Sequence, residues 1–232
     1  MKVIVTGSSK GIGKAIAEKF AAAGYDIILC ARQPELLRAT SAGIQQQFPG
    51  IRVDHREADL SAKAGVMAFA EWCLTIGTPY ILVNNAGIYL PGNVADEPDG
   101  ALENMMAANL YSAYHLTRLL LPHMKKNGSG HIFNMCSIAS LHAYAGGGGY
   151  SISKFALNGF SQNLRHELKD TGIKVTGIFP GAVFTDSWAG FDNSNGRIME
   201  AADIADMVVA ASRLSPQANV DEIVIRPVRG DL

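Results

Sequence analysis

KVIVTGSSKGIGKAIAEKF, Lys2 to Phe20, begins as a β-branched run, turns through a glycine-rich loop and continues as a helical pattern. Val3, Ile4 and Val5 have the composition of a buried strand. Ile12, Ile16 and Phe20 fall on one stripe of a helix that ends near Gly24. Between strand and helix lie Gly7, Ser9, Lys10, Gly11 and Gly13. Glycine lets such a turn form and lets the free N–H groups of the helix start approach a phosphate. The spacing is G-x-x-x-G-x-G rather than the commoner G-x-G-x-x-G, and a glycine-rich turn by itself is often only a turn. Its strand–turn–helix setting is what points to a dinucleotide pyrophosphate.

Outward from this stretch the pattern repeats. Strands are expected at Asp26–Ala31, within IRVDHREADL (51–60), at Pro79–Val83, His131–Cys136 and Ile173–Phe179, and in the final VDEIVIRP (220–227). Helices are expected from Pro34, after a capping Ser61, over Gly100–Lys126, over Tyr150–Asp170 and over Ala201–Arg213. Strand and helix alternate with no repeat, composition break or linker. One domain over residues 1–232 is therefore expected, an α/β, Rossmann-type doubly wound fold. Its mainly parallel, seven-stranded sheet carries helices on both faces. Such sheets bind ligands at the carboxyl ends of their strands, where every motif below falls.

The 232 residues suffice for a sizeable core, and with 48% hydrophobic and 18% charged residues the chain is globular rather than disordered. A formal net charge of −1, with no basic run beyond Lys125-Lys126, makes nucleic acid or an anionic membrane a poor partner. Cys30, Cys73 and Cys136 form no close pair and no metal-type spacing, so buried free thiols in a reducing compartment are expected. Met1-Lys2 leads straight into a strand, and no run of about 18 apolar residues exists to span a bilayer, so the expected location is cytoplasmic. No metal motif such as H-E-x-x-H is present.

The end of the second strand selects the cofactor. An acid there favours the ribose 2′-OH of NAD, whereas an Arg accommodates a 2′-phosphate. Here Arg32 follows Cys30-Ala31, and Lys10 adds a second cation, so NADP(H) is expected over NAD(H). Farther on, SIASLHAYAGGGGYSISK (Ser137–Lys154) places Tyr150 and Lys154 four residues apart on one helical face. A neighbouring ammonium favours a phenolate, which suits Tyr150 to general acid–base work. Ser137 stands where a strand would hand its side chain to a cleft. Y-x-x-x-K alone is a weak signal, since a half-buried Tyr beside a snorkelling Lys is common.

Together these residues make the chain resemble the short-chain dehydrogenase/reductase family over roughly Lys2–Val228, with the general look of its 3-oxoacyl-(acyl-carrier-protein) reductases. The resemblance implies that Thr6-Gly7-x-x-x-Gly11-Ile12-Gly13 is the cofactor loop and that Asp59-Leu60 meets the adenine. It implies that Asn84-Asn85-Ala86-Gly87 lines the cofactor. Pro180-Gly181-Ala182-Val183-Phe184-Thr185 would then touch the nicotinamide carboxamide through Thr185 and backbone. Asn109, Ser137, Tyr150 and Lys154 form the implied catalytic set. Tyr150 would donate a proton to a carbonyl oxygen held by Ser137. Lys154 would tune Tyr150 and grip the nicotinamide ribose, and Asn109 would hold a water that resupplies the proton. The implied activity is reduction of a ketone or aldehyde. The alternatives are a non-catalytic NADP-binding regulator on the same fold and an alcohol dehydrogenase working in the oxidising direction.

Candidate substrate contacts are Tyr89, Leu90, His142, Tyr144, Val183, Trp188 and Phe191, an aromatic set suited to a small-molecule carbonyl substrate. Residues 185–200 form an expected short lid, and Gly146–Gly149 an expected mobile rim. Asp186 and Glu103 read as solvated carboxylates without partners, and Cys136 as a small core filler. Leu116, Leu119, Leu120, Phe155, Leu157 and Phe160 exceed one sheet-facing stripe. A homodimer or homotetramer through the 100–126 and 150–170 helices is therefore expected.

Overall fold

Residues 1–188 and 190–231 are described by a computed structural model. Seven strands among them, β1 (Lys2–Thr6), β2 (Asp26–Ala31), β3 (Val53–Glu57), β4 (Ile81–Asn84), β5 (Gly130–Met135), β6 (Ile173–Pro180) and β7 (Glu222–Ile225), form one sheet. Their order is β3-β2-β1-β4-β5-β6-β7 and all six pairings are parallel. The fold is thus the expected doubly wound, Rossmann-type arrangement. Val3 lies level with Ile27 and Ile81, so branched side chains form rows across the sheet centre.

Because side chains alternate across a strand, each central strand feeds two cores. Val3, Val5, Ile27, Leu29, Ile81 and Val83 pack with Ile16 and Phe20 of α1 (Gly11–Ala22). Leu37 and Ile44 of α2 (Pro34–Gln47) and Ile204 and Val208 of α7 (Ala201–Ser212) complete that layer. Ile4, Ile28, Leu82 and Ile132 face the other side. They meet Phe69 of α3 (Lys63–Ile76), Leu116 and Leu120 of α5 (Ser112–Asn127) and Leu164 of α6 (Gly148–Leu168). Each such side chain, if fully buried, contributes about 1.5–3 kcal/mol of apolar transfer. The chain runs from β1 to β2 and β3 on one side and resumes at β4 on the other, so a crevice opens above β1 and β4.

Three local expectations are corrected. Ser61 does not cap α3; Ala62 holds the N-cap position, and the Ser61 hydroxyl instead donates to Asp59 Oδ1 at 2.7 Å. A tight carboxylate–hydroxyl turn outcompetes the cap because Asp59 is only two residues away. The long helix is not continuous: α4 (Ala101–Met106) passes through a π turn, Ala107–Tyr111, before α5 resumes. Such single turns often mark functional sites, and this one contains Asn109. The glycine run is not a free rim either. Gly148 and Gly149 already belong to α6, and Gly146 donates its N–H to Asn93 Oδ1 at 3.0 Å.

Cys30, Cys73 and Cys136 are free and buried. Burial pushes the Cys136 thiol up to about 12, which keeps it protonated and inert. Among the described residues no helix is long and apolar enough to cross a membrane.

Candidate active site

Thr6 ends β1 and Asn84 ends β4, so the loops that follow meet at the crevice. Asn85 donates from Nδ2 to the carbonyls of Thr6 (2.9 Å) and Gly7 (3.1 Å). The Thr6 hydroxyl accepts the N–H groups of Asn85 and Ala86 at 3.0 and 2.9 Å. The Asn84-Asn85-Ala86-Gly87 segment is thereby pinned to the glycine loop. Gly13 has no alternative there, since a β-carbon on it would run into the Gly7 carbonyl and the Asn85 amide.

Two adjoining clefts share Gly87 and Ile88. The smaller, of about 440 Å³, is bordered by Gly7, Ser9, Lys10, Arg32, Asp59, Leu60 and Ala86. The larger, of about 700 Å³, is bordered by Ile12, Asn85, Ser137, Tyr150, Lys154, Pro180, Gly181, Val183 and Thr185. Gly11 and Gly13 line neither, serving instead as the first turn of α1. A narrow backbone cradle with cations at one end fits the phosphates of a dinucleotide, and the larger cleft leaves space for a nicotinamide and a substrate. Asp59 accepts the Ser61 hydroxyl and N–H, which, with the Arg32 cation adding less, hold its carboxyl below the usual range. It is therefore ionised beside Leu60 at neutral pH.

Lys10 is not free to wait for a phosphate. Its ammonium pairs with Asp186, which sits in a short 3₁₀ turn, Asp186–Trp188, over the loop. This overturns the partnerless reading of Asp186; the exposed Glu103 carboxylate has no partner among the described residues. The lid is tied at both ends, because Phe184 N–H donates to Met199 C=O at 2.7 Å and Met199 N–H to Ala182 C=O at 3.1 Å. Ala189 of the expected lid lies outside the described residues.

Ser137, the residue after Cys136 at the end of β5, caps a 3₁₀ turn over Ile138–Ser140. Its Oγ accepts the Ala139 N–H at 3.1 Å, which leaves the hydroxyl proton available to a ligand. Lys154 is only 6% exposed and donates to the Met135 carbonyl at 2.7 Å. That bond holds the ammonium 5.7 Å from the centre of the Tyr150 ring. Tyr150 in turn meets Tyr89 edge-on, with 4.8 Å between centroids. Ser137, Tyr150 and Lys154 therefore border one cleft, although they come from a strand end and from the first two turns of a helix.

Asn109 is the member of the predicted set that does not line the cleft. It is buried, with Oδ1 accepting the Ile88 N–H at 2.7 Å and Nδ2 donating to the Ile88 carbonyl (3.0 Å) and Ser153 Oγ (2.9 Å). Ser153 donates to the Tyr150 carbonyl at 2.7 Å. Both amide protons are thus engaged within the protein, and Asn109 ties the segment after Gly87 to the helix that carries Tyr150.

Of the candidate substrate contacts, Tyr89, His142, Tyr144, Val183 and Trp188 border the larger cleft, while Leu90 and Phe191 do not. Phe191 instead packs edge-on against Trp188 at 5.4 Å. Burial, then the hydrogen bond to Tyr89, push the Tyr144 phenol up, so it remains a neutral donor. Sequence reasoning missed Arg226 and Asp231, an ion pair at 2.5 Å on the same cleft. Arg197 anchors this tail by donating to the carbonyls of Gly230 and Asp231 at 2.9 and 3.1 Å. No motif signals it; only the return of the chain past β7 brings it to Gly181.

Known proteins resemble this chain in sequence and fold. The profile of the family described as short chain dehydrogenase matches residues 1–195. An uncharacterized oxidoreductase of Staphylococcus epidermidis is 34% identical over 226 residues, covering 97% of this chain and 96% of its own. A sepiapterin reductase of Chlorobaculum tepidum is 30% identical over 237 residues, covering 99% and 97%. Among solved structures, an alcohol dehydrogenase of the archaeon Thermococcus sibiricus, complexed with 5-hydroxy-NADP, superposes with a TM-score of 0.91 at 26% identity, covering 98% and 96%. With the matched profile spanning β1 to β6 and every cleft-lining residue named above except Arg226 and Asp231, the chain belongs to the short-chain dehydrogenase family.

Proposed function

We propose that this protein is a carbonyl reductase in which Tyr150 is the proton donor, Ser137 holds the carbonyl oxygen and Lys154 orients both Tyr150 and the nicotinamide ribose. At the coarser level it is an NADP-dependent oxidoreductase acting on carbonyl and alcohol substrates. One observation carries the finer reading: Ser137, Tyr150 and Lys154 border a single cleft that continues into a phosphate cradle. NADP(H), when bound, supplies or accepts a hydride. Arg32 and Lys10 at the cradle's end take the 2′-phosphate, and Ser9, Gly7 and the N–H groups at the start of α1 take the pyrophosphate. Asp59, Leu60, Ala86 and Gly87 border the adenosine side, and Asn85, Val183 and Thr185 the nicotinamide side.

The remaining chemistry belongs to this chain. Ser137 keeps its hydroxyl proton for the substrate oxygen because its lone pair already serves Ala139. Lys154 spends one N–H on Met135 and keeps two for Tyr150 and a ribose. Its positive charge stabilises the negative charge left on Tyr150 as the proton departs. Tyr89, Tyr144 and Trp188 form an aromatic wall for a small ketone or aldehyde, and an acyl-carrier-protein thioester would have to enter past the short lid. Pairing of two copies through α4–α5 and α6 is part of this reading, supported by Tyr111 and Phe155, which are 48% and 45% exposed. Leu116, Leu120 and Leu157 are buried within one copy and lend it nothing.

The test is Tyr150→Phe with NADPH and a panel of carbonyls. Turnover should fall at least about a hundredfold while NADPH titration stays within twofold, since general acid catalysis is worth roughly 10²–10⁴. Wild-type protein that binds NADPH but oxidises it against no carbonyl would favour the regulator reading. Turnover only of alcohols with NADP would reverse the direction. A monomer by light scattering at micromolar concentration would remove the paired assembly.

A further inference from the structure

Glu97 lies in the acidic stretch ADEPDG (95–100) and is half-buried against the start of α6. Its Oε1 accepts the Gly149 N–H at 2.7 Å, one residue before Tyr150. A carboxylate at that point satisfies a donor that has no partner within the helix and lies at the positive end of its dipole. α6 has no side-chain cap of its own, because Gly147 occupies the N-cap position. Gly148, at φ +26°, leaves the space: a β-carbon on it would run into Glu97 Oε1 and the Gly92 carbonyl. Two further bonds close the same seam, Gly92 N–H to the Gly146 carbonyl and Gly146 N–H to Asn93 Oδ1, both at 3.0 Å. The seam's other end is Tyr89, whose ring rests on Tyr150.

We infer that Glu97 is a positioning residue: its carboxylate locks the loop 89–97 to the first turn of α6 and thereby sets Tyr150, and Tyr89 beside it, against Ser137. The glycine run Gly146–Gly149 is then the surface that receives this lock. The catalytic consequence rests on the reading of Tyr150 as proton donor, whereas the lock itself does not. Removing the acceptor frees the turn that carries Tyr150, and displacement of a reacting group by about 1 Å can cost up to 10²-fold in rate. The groups proposed to hold the phosphates, Arg32, Lys10 and the glycine loop, lie on the other cleft, so most of the cofactor affinity should not follow.

The experiment compares Glu97→Ala and Glu97→Gln with wild type in full-length protein. Glu97→Ala should lower kcat about tenfold with NADPH affinity within twofold, and Glu97→Gln, which keeps the acceptor oxygen, should restore most of it. Amide hydrogen exchange supplies a readout independent of turnover: in Glu97→Ala residues 146–151 should exchange at least about tenfold faster, with 157–168 unchanged. Unchanged exchange at 146–151 would overturn the lock. Faster exchange with unchanged kcat would overturn its positioning role. Equal losses in both variants would also overturn the argument, because acceptor geometry would then not be what matters. If wild type reduces no carbonyl, the reading of Tyr150 fails, while the exchange comparison still decides the lock.

Discussion

Asp186 gives the cofactor preference a sign that can be checked. Arg32 and Lys10 stand at the end of the cradle, and charge-assisted hydrogen bonds to a phosphate are worth about 1.5–3 kcal/mol each. Lys10 must first leave Asp186. That pair has side chains 47% and 68% exposed, so its loss costs no more than about 1 kcal/mol. Two new bonds less one exposed pair leave at least about 2 kcal/mol in favour of NADPH over NADH, or roughly thirtyfold. Asp186→Asn removes the competitor, so NADPH should bind up to about fivefold tighter, with NADH unchanged. Arg32 has no such pair to release among the described residues, so Arg32→Ala should lose more NADPH affinity than Lys10→Ala. Fluorescence titration with both nucleotides at low and moderate salt reads all of these, and the preference should shrink as salt rises. Weaker NADPH binding by Asp186→Asn would show that Asp186 holds Lys10 in place for the phosphate instead of competing with it. Equal affinities of the wild type for NADPH and NADH would sink the clamp itself.

Burial, with the Lys174 charge adding, pushes buried His131 down to about 3, while Nε2 lies 2.7 Å from Thr176 Oγ1. Its folded value lies below the unfolded value of about 6.5, so the unfolded chain takes the proton first and stability falls as pH drops through that window. The loss should be about 2 kcal/mol between pH 7 and 5. Denaturant unfolding of His131→Gln should show a flatter pH dependence, and curves parallel to wild type would refute the assignment. Asn109→Ala strands the Ile88 N–H and carbonyl and Ser153 Oγ, so it should cost about 2–4 kcal/mol and lower Tm by several degrees. A variant as stable as wild type would mean that water replaces all three bonds.

Much of the fold is legible because strand and helix patterns are local. KVIVT and DIILCA are too rich in branched residues to be anything but buried strands, and alternation with helices leaves a parallel sheet as the economical solution. The glycine loop, Ser137, Tyr150 and Lys154 are legible for the same reason, each sitting where a strand stops or a helix starts. Element ends were less so. Ser61 looked like a cap, but the competing carboxylate of Asp59 decides its hydrogen bond. The π turn at Asn109 carries no clear composition signal, since Ala107-Ala108-Asn109-Leu110 suits an α-helix equally well.

The sequence by itself determined the layered architecture and set a glycine-rich loop, a hydroxyl, a phenol and an ammonium at strand ends and helix starts, because periodicity and residue type settle those within a few turns of chain. Only the tertiary structure decided who holds these groups in place. Lys10 meets Asp186 across 176 residues, Glu97 meets Gly149 across 52, and Asn109 meets Ile88 across 21. An unpaired carboxylate, ammonium or amide looks the same in a sequence wherever its partner lies. Its role is set by which partner the crossovers of the sheet bring within about 3 Å, and that distance exists only once the chain has folded.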